Sequence, residues 1–202
     1  MQWKILQSTR NYDGHFKVDE LVLQHELFAG GMSNELIRER VTRKNAVAVL
    51  PYDPNRDELV LIEQFRVGAL GHMGSTKNEN PWLMEVVAGL VEEGESYEEV
   101  ACREALEEAN CKIEKLHFVT SFFPSPGGFA EVSHVYIGKV DAANLSGLSG
   151  LDEEGEDIRV HVVSSAHAIE MLKQGKICSA IPMIAMYNFI LLRETLQQQW
   201  ST

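Results

Sequence analysis

The stretch "VAGLVEEGESYEEVACREALEEAN", residues 87–110, holds eight acidic side chains and one basic one, Arg103. It constrains the fold more than any other part of the chain. Ser96 and Glu99 have the S-x-x-E spacing of a capping box. Asn110 stands where a left-handed residue closes a helix, and asparagine is second only to glycine there. The spacing predicts a helix from about Tyr97 to Ala109, with Glu104, Glu107 and Glu108 in its last turn and a half. A helix C-terminus carries roughly half a negative charge, so acids there cost about 0.3–1 kcal/mol. Glu104 and Glu108 also repel each other as an i,i+4 pair. A helix tuned for stability alone would carry lysine here.

Counting about 100° per residue from Tyr97 puts Ala101, Cys102, Ala105, Leu106 and Ala109 on a core-facing arc. Glu104, Glu107 and Glu108 form a ridge at its edge. A solvated acidic face is the bland account of that ridge. The dipole opposes it, and so does the absence of lysines interleaved at i,i+4. Clustered hard oxygens suit Mg²⁺ or Mn²⁺, whose charge offsets the repulsion, and Mg²⁺ is commonly shared with substrate phosphates. The residues therefore point to a divalent-metal site for a phosphorylated ligand.

The rest of the chain bounds that reading. With 202 residues and a net charge of −12, it suits one domain with at most a small appendage, and that charge argues against a general nucleic-acid or anionic-membrane surface, since both need basic patches. An anionic substrate then needs local arginines or metal. "MQWKILQSTRNYDGHF" lacks the apolar core of a secretory signal, and the longest apolar runs, such as Ala46 to Leu50, are strand-sized. Cys102, Cys111 and Cys178 are an odd, sparse set read as buried small hydrophobes in a reducing cytoplasm. The histidines have no zinc-binding spacing.

Residues 1–43 alternate apolar and polar in short runs that predict an antiparallel β extension, with Gly30-Gly31 at a turn. "NAVAVLPY" and "ELVLIEQFRV" flank the turn "DPNRD". "GHMGSTKNEN" reads as a polar loop and "PWLMEVVAGL" as one buried strand. "LHFVTSFF" and "VSHVYIGKV" are strands around the loop "PSPGGFAE". "ANLSGLSGLDEEGED" reads as a long flexible stretch before the strand "IRVHVV". Two helices, about 165–174 and 181–198, close the chain. The expected class is α/β (α+β): a sheet with helices on both faces over residues 44–202, preceded by the extension at 1–43.

Gly89, five residues, Glu95, seven residues, Arg103-Glu104, then Leu106 and Glu107-Glu108 resemble the Nudix box, G-x5-E-x7-R-E-U-x-E-E-x-G-U. Asn110 replaces the box's last glycine, and Cys111 fills its final apolar place. The resemblance implies an α/β/α sandwich with a mixed sheet and metal-assisted hydrolysis of a nucleoside diphosphate linked to another group. It implies that Glu104, Glu108 and the Ala88 carbonyl ligate Mg²⁺ (Mn²⁺ as a substitute), with Glu107 a further or water-mediated ligand. Glu95 and Arg103 become a buried pair holding the helix to its loop.

Beyond the box, "SPGGFAE", "LDEEGEDIRVHVV" and the N-terminal extension look like bacterial ADP-ribose pyrophosphatases. That resemblance implies cleavage of ADP-ribose to AMP and ribose 5-phosphate by a homodimer that exchanges its extensions. His15 and Phe16 then lie against adenine, and Arg38, Glu39, Arg43, Arg66, Leu90 and Ser125 contact substrate. Glu131 reaches it from the partner chain. The alignment on "EDIRVHVV" puts the general base at Glu154, with Glu153 its nearest competitor, and a metal contact at Glu156. Other nucleotide sugars, such as GDP-mannose or ADP-glucose, a non-catalytic ADP-ribose sensor and a structural dimer module are the competing readings. Intact box glutamates and the lack of a basic DNA-binding helix weigh against the last two.

Overall fold

The computed structural model describes residues 1–70, 80–151, 153 and 155–201. Nearly all of the polar loop expected at 71–80 lies outside this set, as do Asp152 and the proposed base Glu154. The chain forms two compact units, one of residues 1–45 with 122–132, the other of 46–121 with 133–202.

The first unit is a four-stranded sheet in the order β1-β2-β3-β9, built from β1 (Trp3–Asp13), β2 (Lys17–His25), β3 (Leu36–Thr42) and the short β9 (Phe129–Ala130). β1, β2 and β3 are antiparallel neighbours; β9 runs parallel to β3. β9 sits inside "PSPGGFAE", read from sequence as loop alone. The Gly128 carbonyl accepts from the Val41 N–H at 2.7 Å, which brings that turn to the sheet edge. No residue of β1 is buried, and Trp3 is 73% exposed. Asp19, by contrast, is buried, with Arg10 Nε at 2.5 Å and Arg40 Nη2 at 3.4 Å.

The second unit is a sheet flanked by helices. Its strands are β4 (Ala46–Asp53), β5 (Glu58–Phe65), β6 (Trp82–Glu85), β7 (Val87–Leu90), β8 (Lys115–Phe122), β10 (Ser133–Lys139), β11 (Gly147–Ser149) and β12 (Ile158–Ser164). The main order is β11-β12-β5-β4-β10-β8. β10 and β4 are parallel, and β4 and β5 pair only at their hairpin end, Tyr52–Asp53 with Glu58–Leu59. Beyond that they part: β7 takes β4 as its antiparallel neighbour and β6 takes β5. The single strand expected for "PWLMEVVAGL" is therefore two, broken at Val86, because it serves two partners. The stretch read as flexible, 143–157, likewise contributes β11 to the sheet edge.

Alternation along β4 sorts the core. Val47 and Val49 join Val60, Ile62, Val87, Ile158 and Val160 under α1 (Tyr97–Ala109). On the other face Tyr52 meets Phe189 of α3 (Ala180–Trp200) edge-on, ring centroids 4.9 Å apart. α2 (Ser165–Lys173) begins with the Ser164 hydroxyl accepting from the His167 N–H. Two acids close the β4–β5 turn. Asp57 has φ 55°, and its carboxylate is gripped by Arg193 and the Tyr52 hydroxyl. Asp53, fully buried, accepts from the N–H groups of Asn55, Arg56 and Ala142.

α1 has the expected ends. Ser96 and Glu99 make the reciprocal capping box, and Asn110 is left-handed at φ 48°, ψ 38°. Its orientation differs from the helical-wheel expectation. Cys102 and Leu106 are exposed, Leu106 by 56%, whereas Val100, Ala101, Ala105, Glu108 and Ala109 are buried. The buried arc is rotated toward the glutamates, so Glu108 lies inside it rather than at its edge. Of the cysteines only Cys111 is fully buried.

Candidate active site

The site forms where β7 hands the chain to α1. β7 ends at Ala88-Gly89-Leu90, the chain reverses through Gly94 at φ 90°, and α1 returns along the strand. Glu108 is 2% exposed, and its Oε2 accepts the Ala88 N–H at 2.9 Å. Burial pushes its carboxyl up to about 8; the Ala88 hydrogen bond and the charge of Arg66 pull against that, while Glu104 and Glu156 add to it. Burial also raises the pKa of Glu104, with Arg103 opposing. Two carboxylates a helical turn apart are thus both raised chiefly by burial, the kind of perturbation that clusters at functional sites.

Glu104 fits only because residue 89 is glycine. A Cβ built there would lie 1.7 Å from Glu104 Oε1 and 2.0 Å from its carboxyl carbon. The nearest cation is Arg103. Its Nη1 is 2.7 Å from Glu104 Oε1 and 3.0 Å from Glu107 Oε2, and its Nε and Nη2 grip both Glu95 oxygens at 2.9 and 3.2 Å. Hydrogen bonding to Glu95, ahead of the charges of its other partners, raises the Arg103 pKa. The Arg103–Glu95 pair is partly exposed, at 34% and 25%, rather than buried as expected. Arg103 Nη2 also approaches the Leu90 carbonyl at 3.5 Å.

Among the described residues no three acidic, histidine or cysteine side chains converge as a ready-made metal cage. The donor set nevertheless fits a hard divalent cation. It offers carboxylate oxygens from Glu104 and Glu108, a glycine that leaves room for one of them, and Glu156 close enough to raise both pKa values. Glu156 follows a turn in which its N–H donates to the Leu151 carbonyl and its Oε2 accepts the Leu151 N–H, each at 3.2 Å. That segment is joined to α1: the Glu107 carbonyl accepts from Ser149 Oγ at 2.9 Å and Gly150 N–H at 3.3 Å. Those donors satisfy one of the carbonyls a helix end leaves open.

Arg66 follows β5, and its Nε pairs with Glu85 Oε2 at 2.7 Å. Sequence reading missed Glu85; the signal was a lone acid inside the apolar run "PWLMEVV". The remaining candidates lie in the first unit. Arg43 Nε pairs with Glu131 Oε2 at 3.1 Å, and its guanidinium stands 5.8 Å from the Phe16 ring centroid. His15 meets Phe16 edge-on at 5.0 Å. Arg38 and Glu39 line a cavity of about 360 Å³ with Phe123 and the Pro126–Phe129 turn. The Ser125 carbonyl folds that turn by accepting from Gly128 and Phe129.

The NUDIX domain profile matches residues 42–179. The chain is 46% identical over 190 residues to the ADP-ribose pyrophosphatase of Escherichia coli (strain K12), covering 94% of this chain and 88% of that protein. It is 42% identical over 197 residues to that of Haemophilus influenzae, covering 98% and 90%. The GDP-mannose pyrophosphatase of Cronobacter sakazakii is 34% identical over 154 residues, 75% of this chain and 76% of that protein. A solved structure described as an ADP compounds hydrolase superposes with a TM-score of 0.71 over 100% of this chain and 98% of its own, at 22% identity, a likeness of fold. The profile match takes in the glycine, the acidic helix and the strands that hold them: the chain belongs to the Nudix family, whose members generally depend on a divalent metal.

Proposed function

We propose that this enzyme hydrolyses the pyrophosphate bond of ADP-ribose, consuming one water and releasing AMP and ribose 5-phosphate, with Mg²⁺ as its metal and Mn²⁺ as a substitute. The observation that carries the reading is the placement of Glu104 and Glu108 against Ala88-Gly89, in a chain related over most of its length to two bacterial ADP-ribose pyrophosphatases. Glu104, Glu108, Glu156 and the Ala88 carbonyl would hold the cation, with Glu107 a further or water-mediated ligand. When bound, the cation neutralises pyrophosphate charge and acidifies water.

The other roles follow the resemblance. Glu154 accepts the proton of the attacking water. Arg66, Arg38 and Arg43 supply guanidinium forks to an anion that the net charge of −12 would otherwise repel. Arg103, through Glu95, fixes the ligand helix to its loop. His15 and Phe16 offer ring surface to adenine, while Glu39, Leu90, Ser125 and Glu131 complete the substrate contacts.

A homodimer is part of the proposal. Residues 1–43 act as an exchanged extension and 44–202 as the hydrolase domain. The support is β1, whose Trp3, Ile5, Leu6 and Tyr12 are all exposed; apolar surface of that kind is covered in a stable assembly. The proposed setting is the cytoplasm, without membrane or nucleic-acid partners; among the described residues no helix is long and apolar enough to cross a membrane.

The likeness to a GDP-mannose pyrophosphatase keeps a second substrate in view. A panel of ADP-ribose, ADP-glucose and GDP-mannose, with and without Mg²⁺ and with products identified by mass, tests both. AMP and ribose 5-phosphate should dominate. A clear preference for GDP-mannose overturns the first reading, and full turnover in EDTA overturns the metal.

A further inference from the structure

The N-terminal residue of α3 departs from the usual pattern. Ser179 occupies the N-cap position with extended backbone, yet its side chain caps nothing in its own helix. Serine there normally accepts from the backbone two or three residues on, and losing that bond costs about 1 kcal/mol. Instead the Ser179 hydroxyl donates to Glu85 Oε1 at 3.0 Å. Glu85 Oε2 in turn accepts from Arg66 Nε at 2.7 Å. Glu85 is only 12% exposed, so both of its oxygens are committed, one to each partner.

The placement of this chain of contacts gives it a use. Glu85 lies directly across from Ile62 in the sheet, and directly paired antiparallel residues point to the same face. Ile62 belongs to the core beneath α1, so Glu85 points to the face that carries the glutamate helix. Arg66 continues β5 with extended backbone four residues beyond Ile62, so strand alternation turns it to that same face. Arginine has five donors in a planar fork. Binding Nε to Glu85 leaves the outer edge of the guanidinium for an anion and fixes its plane, while carboxylate pairing leaves the cation charged.

We infer that Glu85 and Ser179 are positioning residues: Ser179 orients the Glu85 carboxylate, and Glu85 orients the Arg66 guanidinium toward the phosphate-bearing substrate on the face that carries the glutamate helix. The inference rests on the reading of Arg66 as a substrate contact. Neither residue touches substrate. Serine 179 forgoes its own helix cap because it serves the arginine.

Steady-state kinetics on ADP-ribose at saturating Mg²⁺ test this with Glu85→Gln, Ser179→Ala, Ser179→Thr, Arg66→Ala and the double variant Arg66→Ala/Glu85→Gln. Glu85→Gln should raise KM roughly tenfold with kcat within a few-fold, the signature of lost ground-state binding. Ser179→Ala should raise KM in the same sense by less, and Ser179→Thr, which keeps the hydroxyl, should restore it. The double variant should be no worse than Arg66→Ala alone, since positioning an absent arginine has no effect. If Arg66→Ala leaves KM unchanged, the reading of Arg66 itself falls. If Arg66→Ala is impaired while Glu85→Gln and Ser179→Ala only lower Tm and keep parental KM, the positioning role is overturned. Additive losses in the double variant overturn it as well. Should Glu85→Gln fold poorly, the Ser179→Ala and Ser179→Thr pair decides alone.

Discussion

The carboxylate of Glu104 rests on the α-carbon of Gly89, so closely that a methyl group at residue 89 would overlap it at 1.7 Å. Gly89 has no positive φ to explain it; space is its reason. Gly89→Ala should therefore leave the fold intact and displace Glu104 by an ångström or more. A misplacement of about 1 Å costs on the order of 10²-fold in rate. We expect kcat on ADP-ribose to fall by about that factor with weaker Mg²⁺ activation, while Tm shifts little. An alanine variant with parental kcat would show that Glu104 need not occupy this position.

Glu104→Gln and Glu108→Gln should each remove most activity and weaken Mg²⁺ binding, read by titration calorimetry, without lowering the melting temperature of the metal-free protein. Both changes remove a charge from a place where burial already disfavours it. Parental turnover in both variants would remove the pair from the metal site.

The pH dependence has a definite sign. The Glu108 carboxyl is held at about 8 in the folded chain against an ordinary value of 4.5, so between these values the folded, metal-free protein keeps a proton that the unfolded chain has released. Stability in EDTA should accordingly fall as pH rises from about 4.5 to about 8 and flatten beyond. Burial would raise Asp53 and Asp57 too, but hydrogen bonds from Ala142 N–H and Arg56 to the first, and from Arg193 to the second, hold both below 3.8. Their contribution is lost only at more acid pH, outside this window. Thermal melts of parent and Glu108→Gln across pH 5–8, roughly the range where carboxyls so shifted titrate, should show the slope in the parent and a flatter one in the variant. A parental Tm that climbs through this range contradicts the assignment.

The loop carboxylates separate by role. Glu154→Gln should cut kcat by roughly 10²–10⁴ with little change in KM, the usual effect of losing a general base. Glu156→Gln should be partly rescued by added Mg²⁺, and Glu153→Gln should be nearly silent. If Glu153→Gln is the crippled variant, the base is one residue earlier; if all three stay near parental rates, Glu107 becomes the first candidate.

For the homodimer, removing residues 1–43 should abolish both assembly and most substrate affinity. That truncation also strips β9 of its partner β3, so the cleaner probe is Trp3→Asp with Ile5→Asp on the exposed first strand. Light scattering should report a dimer for the parent and a monomer for this variant. A parental protein that runs as an active monomer at micromolar concentration defeats the proposal.

What could be read in advance depended on how local its cause was. The α1 boundaries were legible because a capping box and a left-handed asparagine are made by neighbours in sequence. The β4–β5 hairpin was legible for the same reason. Burial of Glu108 was not: a wheel drawn on hydrophobicity turns charge outward, and only β7, with its Ala88 N–H and bare Gly89, makes the inward position tolerable. The split of "PWLMEVVAGL" at Val86 depends on β4 and β5 parting company, which no stretch of either announces. Glu85 and Ser179 lie 94 residues apart, and nothing near either names the other. β9 and β11, at two and three residues, are too short for alternation to be seen.

The closure of the glutamate helix by Ser149 and Gly150 gives the enzyme a fixed tether. Glu154 stands four residues past Gly150 in the chain, so the proposed base follows in sequence the point that finishes the glutamate helix. Its reach is then a matter of counting residues: at no more than roughly 3.3–3.6 Å per residue, each insertion or deletion after Leu151 lengthens or shortens the line without disturbing Glu104 or Glu108. Because Glu156, the proposed metal contact, stands two residues beyond Glu154, the length of this short segment would set the reach of the base and of the metal contact together, while the end of the glutamate helix stays closed at Glu107.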